Sequence, residues 1–188
     1  MITFKEKKQP LYEKLELATK QQFDLLQKQI DKDSELKRML TTPMKDIPQY
    51  YWLYSDAIDQ AKESSLLQIL EYFVIENRST LLFSKTSGGL FTGFILYSDT
   101  GIEIKGIKTA SFFDDNKKPN QQLAVDLINN FIDKYISTRK KIEWSSDKKN
   151  NYANDQYIRF LDKKKYIWNR YDNPYNNKLW IYSVSGIK

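Results

Sequence analysis

The spacing of the apolar residues changes at Asn77, and that change limits the folds open to this chain. Before it, apolar side chains recur every third or fourth residue. After it they come in short runs of aromatic and β-branched residues separated by turn signals. The runs 80–84, 90–97 and 102–113 read as strands, with Ser87-Gly88-Gly89 and Asp99-Thr100-Gly101 as the turns between them, so an antiparallel meander is expected. Ala124, Leu127, Ile128, Phe131, Ile132 and Tyr135 then follow helical spacing and predict a helix over 120–136. A short strand at 141–144, a helix over 151–164 with Ala153, Tyr157, Phe160 and Leu161 on one face, and a last strand at 178–184 complete the pattern.

The order β-β-β-α-β-α-β predicts the α/β class: an α+β mixed sheet flanked by helices. The 102–113 and 141–145 strands are expected to be parallel, because the helix between them is long enough to cross over. Upstream, a helix over 11–30 and a short one carrying Leu36, Met39 and Leu40 are expected, ending at Thr41-Thr42-Pro43. Ser64 or Ser65 caps a further helix through Val74 whose end is apolar nearly all round, so burial is expected there. Tyr50, Tyr51, Trp52 and Tyr54 form an aromatic group that either lines a pocket or, as favoured here, seals the helical part onto the sheet. The chain of 188 residues is expected to be a single domain, with a helical N-terminal part over 1–76 and a mixed-sheet part over 77–188.

The chain has no Cys and no His, which excludes thiolate chemistry, a histidine triad and the common zinc ligand sets. Asp114-Asp115 read as a loop, and no metal site is expected. No apolar run reaches the roughly 18 to 20 residues that span a bilayer, and Met1 to Glu6 lack a signal-peptide core, so a cytoplasmic location is expected. Residues 1–104 hold 13 Lys and Arg against 15 Asp and Glu, whereas 105–188 hold 17 against 9. An anionic ligand is therefore sought in the second half.

The helix after the fourth predicted strand carries Asn150, Ala153 and Tyr157, at the spacing Asn-x-x-Ala-x-x-x-Tyr. With the element order, this resembles the GCN5-related N-acetyltransferases, whose fold is an acyl-CoA N-acyltransferase-like central sheet flanked by helices. The resemblance implies acetyl-CoA as cofactor, an amine on a small molecule or protein as acceptor, Asn150 beside the pantetheine arm, and Tyr157 as general acid toward the departing thiolate. A phenol suits that role, because it is a neutral donor at pH 7 with a pKa of about 10. The resemblance also implies that the backbone of Lys108, Thr109 and Ala110 pairs with pantetheine. The family's phosphate-binding loop, Arg or Gln-x-x-Gly-x-Gly or Ala, aligns with Pro119, Gln122 and Ala124. Only Ala124 fits; Gln122 replaces a glycine, and Lys117 and Lys118 stand just before to supply charge. Glu103 is the one carboxylate in the bulge strand and is expected to face solvent rather than act as a base.

A second reading keeps the scaffold without catalysis. Lys163, Lys164, Lys165, Tyr166, Trp168, Arg170, Tyr171 and Tyr175 interleave cations with aromatic rings, a composition that binds single-stranded nucleic acid. Such a basic C-terminal face would recognise a protein or a nucleic acid. No Walker loop is present, and no membrane partner is expected.

Overall fold

The computed structural model describes residues 14–46, 63–76, 79–112 and 121–188. The Tyr50 to Tyr54 group, Asp114-Asp115, Lys117, Lys118 and Pro119 lie outside the described residues.

Along the chain the elements are β1 (Lys14–Leu17), α1 (Lys20–Lys32), α2 (Ser34–Thr41), α3 (Leu66–Ile75), β2 (Thr80–Lys85), β3 (Phe91–Asp99), β4 (Glu103–Ser111), α4 (Gln121–Tyr135), β5 (Lys141–Asp147), α5 (Asn151–Lys163), β6 (Tyr166–Asp172) and β7 (Leu179–Ile187). The strands form one mixed sheet in the order β1-β2-β3-β4-β5-β7-β6. Strands β2, β3 and β4 are the expected meander, and β4 with β5 is the expected parallel pair.

Short polar side chains set the helix ends. Thr19 caps α1, accepting the Gln22 N–H at 3.3 Å. Asp33 closes α1 and opens α2, accepting the Glu35 and Leu36 N–H groups, each at 3.1 Å. Ser65 and Gln68 form a reciprocal capping box on α3.

Helices α1, α2 and α3 cover one face of β2, β3 and β4, burying Leu26, Leu36, Leu40, Leu70, Phe83 and Phe94. Helices α4 and α5 cover the other face, burying Leu127, Phe131, Ile132, Trp144, Tyr157 and Tyr182. Each fully buried large side chain stabilises the fold by about 1.5–3 kcal/mol. Gly93 sits opposite Ser111, and a Cβ there would stand 2.4 Å from the Ala110 carbonyl oxygen, so only glycine lets β3 and β4 close at that point.

Two expectations are corrected. Residues 14–17 are a strand, not the start of a helix. Leu15 and Leu17 alternate with Lys14 and Glu16, and Glu16 meets Lys85 of β2 at 3.3 Å. The basic aromatic stretch contains an additional strand, β6, whose ladder to β7 uses the alternation of Tyr166, Trp168 and Arg170. Helix α3 is buried as expected through Leu66, Leu67, Ile69 and Leu70, with Phe73 and Val74 packed partly buried against the same core.

Candidate active site

Strand β4 carries one extra residue. Between the pairs Leu96↔Lys108 and Ser98↔Lys105 it spends three steps against two on β3. The same mismatch recurs toward β5, between Ile104↔Ile142 and Ile107↔Trp144. Gly106 lies in the mismatch with φ 63, a left-handed backbone that glycine adopts without strain. The sequence held the signal: Ile104 and Ile107 bury on the same face although they are three apart, where a regular strand requires an even spacing.

Past Ile107 and Trp144 the two parallel strands pair with each other no further among the described residues. Strand β4 continues against β3 through Ser111, while β5 continues against β7 through Ser145↔Ile181, Ser146↔Trp180 and Asp147↔Leu179. The parting leaves a slot flanked by main-chain groups at the carboxyl ends of two parallel strands, where open sheets receive ligands and where an extended amide chain can add as a strand.

Lys108, Thr109 and Ala110 form the β4 wall of this slot. Ala110 is buried, and the Thr109 hydroxyl donates to the Phe94 carbonyl at 2.7 Å. Asn150 caps α5, accepting the Ala153 N–H at 3.2 Å. Gln122 and Ala124 lie in the first turns of α4.

Tyr157 stands beside the parting. Its ring meets Trp144 edge-on at 5.4 Å, and Trp144 is the register partner of Ile107. Tyr182 stacks on Trp144 at 5.2 Å with 8° between planes, and Tyr157 also meets Tyr182 edge-on at 5.4 Å. Tyr157 is thus part of the core as well as a neighbour of the slot. Burial pushes its hydroxyl above the usual phenol range, so at neutral pH it holds its proton. The Trp144 Nε1–H is buried and finds no partner among the described residues, an orphaned donor next to the parting.

Sequence reasoning missed Asn154. This buried side chain donates from Nδ2 to the Asp147 carbonyl at 2.9 Å and accepts the Tyr182 hydroxyl at 2.7 Å. It ties the end of β5 to α5 and β7. Polar residues on a helix face give no such role away in a sequence. Tyr152 was missed too. Its hydroxyl donates to Gln122 Oε1, and Gln122 Nε2 donates to Asp126 at 2.7 Å.

The acid on β4 behaves as expected. Lys105 at 3.0 Å, with Lys141 at 3.6 Å, holds the Glu103 carboxyl below the usual range, which unfits it as a base. Across from it, Glu143 accepts the Tyr171 hydroxyl at 2.9 Å and pairs with Lys141 at 3.1 Å.

The rings of the basic aromatic stretch are divided between the core and the surface. Tyr166 is buried with its hydroxyl on Asp133, and Trp168 stacks on Tyr182 and donates to Asp162 at 2.9 Å. Arg170 lies 4.3 Å over the Trp180 ring, and Lys148 lies 4.4 Å from it. Tyr175 stays exposed. Of these rings Tyr166 is buried, Trp168 and Trp180 are half-buried, and Tyr171 is exposed like Tyr175.

A mixed sheet parted between its two parallel strands, with helices on both faces, is the acyl-CoA N-acyltransferase-like fold. Solved structures agree: the chain has the fold of the GCN5-related N-acetyltransferases. It matches the Campylobacter jejuni N-acetyltransferase PseH at 13% identity over 94% of this chain and 99% of that one, with a TM-score of 0.50. It matches a spermidine N-acetyltransferase SpeG chimera from Vibrio cholerae and hSSAT at 9% identity over 92% and 94%, with a TM-score of 0.51. It matches the GNAT domain of S. lividans PAT at 10% identity over 91% and 89%, with a TM-score of 0.52. No family model and no curated protein matches the sequence.

Proposed function

We propose that this protein is an N-acyltransferase that takes an acetyl thioester, acetyl-CoA in the first instance, in the β4–β5 slot and transfers the acetyl group to an amine. The observation that carries this reading is the bulge at Gly106 followed by the parting of β4 and β5 beyond Ile107 and Trp144. The solved neighbours of the same fold that bear the name N-acetyltransferase support it. The amine belongs to a small molecule or a protein, and the setting expected from the sequence is the cytoplasm. Among the described residues no helix is long and apolar enough to cross a membrane.

The residues divide the work as follows. Lys108, Thr109 and Ala110 present backbone N–H and C=O groups to the amide-bearing arm of the thioester. Asn150, fixed at the start of α5, stands by the same arm. Lys117, Lys118 and Ala124 are assigned to the phosphate end. The amine nitrogen attacks the thioester carbonyl carbon and the C–S bond breaks. The departing sulfur takes the Tyr157 proton, and the proton shed by the amine returns to the phenolate, so the products are an amide and a free thiol. Positioning supplies most of the rate in such a transfer.

Thermal unfolding with and without acetyl-CoA tests the donor. At a concentration of about 100 Kd the native state gains about 2.7 kcal/mol, which raises the melting temperature by about 5–10 °C for a chain of this size. An unchanged melting temperature at saturating acetyl-CoA and at saturating S-acetylpantetheine overturns the reading. Because the chain contains no Cys, thiol released with a panel of amines can be titrated with no background from the protein.

A further inference from the structure

Helices α4 and α5 follow the two parallel strands, so both begin at the end of the sheet where the slot opens. Helix N-termini beside parted parallel strands attract anionic groups through their free N–H donors and the helix dipole. In this chain the two first turns are tied together. The Tyr152 hydroxyl, on α5, donates to Gln122 Oε1, on α4, and Gln122 Nε2 donates to Asp126 at 2.7 Å. Asp126 is half-buried, and burial pushes its carboxyl above the usual range, so its anionic form is already disfavoured there. An added anion nearby raises that cost. A diphosphate arriving at this end therefore meets a side-chain strap and a carboxylate.

We propose that the Gln122–Tyr152 bridge closes the phosphate end of the slot and sets donor selectivity, disfavouring thioesters that carry a nucleotide diphosphate and sparing shorter pantetheine thioesters. The proposal rests on the acyltransferase reading. It assigns Gln122 the opposite sense to a phosphate ligand: the bridge must break before acetyl-CoA seats fully, whereas a donor that ends at pantetheine leaves it intact. Tyr152 is 45% exposed, so its hydroxyl can swing away without disturbing the core.

Calorimetric titration of the wild type, Tyr152→Phe and Gln122→Ala with acetyl-CoA and with S-acetylpantetheine tests it. Tyr152→Phe removes one oxygen from an exposed ring, and a melting curve confirms that each variant is folded. The expected result is acetyl-CoA binding about tenfold tighter in both variants, the equivalent of one hydrogen bond that no longer has to be broken, with S-acetylpantetheine affinity unchanged. Equal acetyl-CoA affinity in all three proteins overturns the bridge as a selector and leaves the acyltransferase reading standing. Weaker acetyl-CoA binding in the variants overturns it as well, because Gln122 and Tyr152 are then donor ligands. If none of the proteins binds either thioester, the acyltransferase reading falls and takes the selector with it.

Discussion

Ile107 stands opposite Trp144, and it is the last residue of β4 to pair with β5. Everything assigned to the slot follows from where that last pair falls. One residue earlier, Gly106 takes the left-handed conformation that sets β4 out of step with both neighbours. A Cβ at Gly106 would meet nothing within 4 Å, so the demand for glycine there is conformational rather than spatial.

Gly106→Ala is accordingly expected to cost about 1–2 kcal/mol, the penalty of a left-handed L-residue. Urea unfolding measures it. The same variant is expected to lose the thermal shift given by acetyl-CoA, since relief of the strain restores even pairing and narrows the slot. A variant of unchanged stability and unchanged donor response would show that the bulge does not depend on glycine.

Tyr157→Phe separates the proton donor from the core residue. The ring contacts with Trp144 and Tyr182 survive the change, so the melting temperature is expected to hold. Transfer is expected to slow by at least about 100-fold, the usual loss when a positioned acid is removed. An unaltered turnover number would leave Tyr157 as core alone.

Asn154 and Tyr182 form a buried couple at 2.7 Å. Tyr182→Phe leaves the Asn154 carbonyl oxygen without that donor, and a loss of about 1–3 kcal/mol is expected. The double variant Tyr182→Phe, Asn154→Leu is expected to lose less than the two single losses combined, because the second change removes the stranded group. Strictly additive losses would dissolve the couple.

Asp99 and Arg139 join the end of β3 to the start of β5 by two hydrogen bonds, at 2.9 and 2.6 Å. Arg139 holds the Asp99 carboxyl below its usual range. A depressed carboxyl means that the unfolded chain binds the proton first. The stabilisation is therefore complete above the unfolded value, about 3.9, and is lost as the pH falls through the depressed folded one. Asp99→Asn is expected to cost about 1 kcal/mol at pH 7 and progressively less below pH 4, as read from denaturant midpoints across that range.

Much of the sheet was legible because its signals are local. The apolar stripe from Ala124 to Ile132 marked α4, and the turns at Gly89 and Gly101 marked the meander. Strand β1 was not legible: it has four residues, and its Leu-Glu-Leu alternation also suits the edge of a helix until Lys85 and Leu82 supply partners. Strand β6 was hidden by the lysines that precede it, because charge density says nothing about which rings turn inward. The spacing of Asn150, Ala153 and Tyr157 marked α5 and its cap, and the Gly106 bulge lay implicit in the uneven isoleucines. The tie between Gln122 and Tyr152 joins residues 30 positions apart and exists only once α4 and α5 are side by side.

The strand that borders β2 on the outside has a kinetic meaning as well. Glu16 reaches Lys85 across 69 positions, while β2, β3 and β4 are joined by tight turns. Closing so long a loop costs chain entropy before any contact repays it, so the meander is expected to assemble early and β1, with α1 behind it, to dock late. The wall formed by α1 is then the part of the molecule that detaches most readily, and amide exchange in α1 should outpace that in α4.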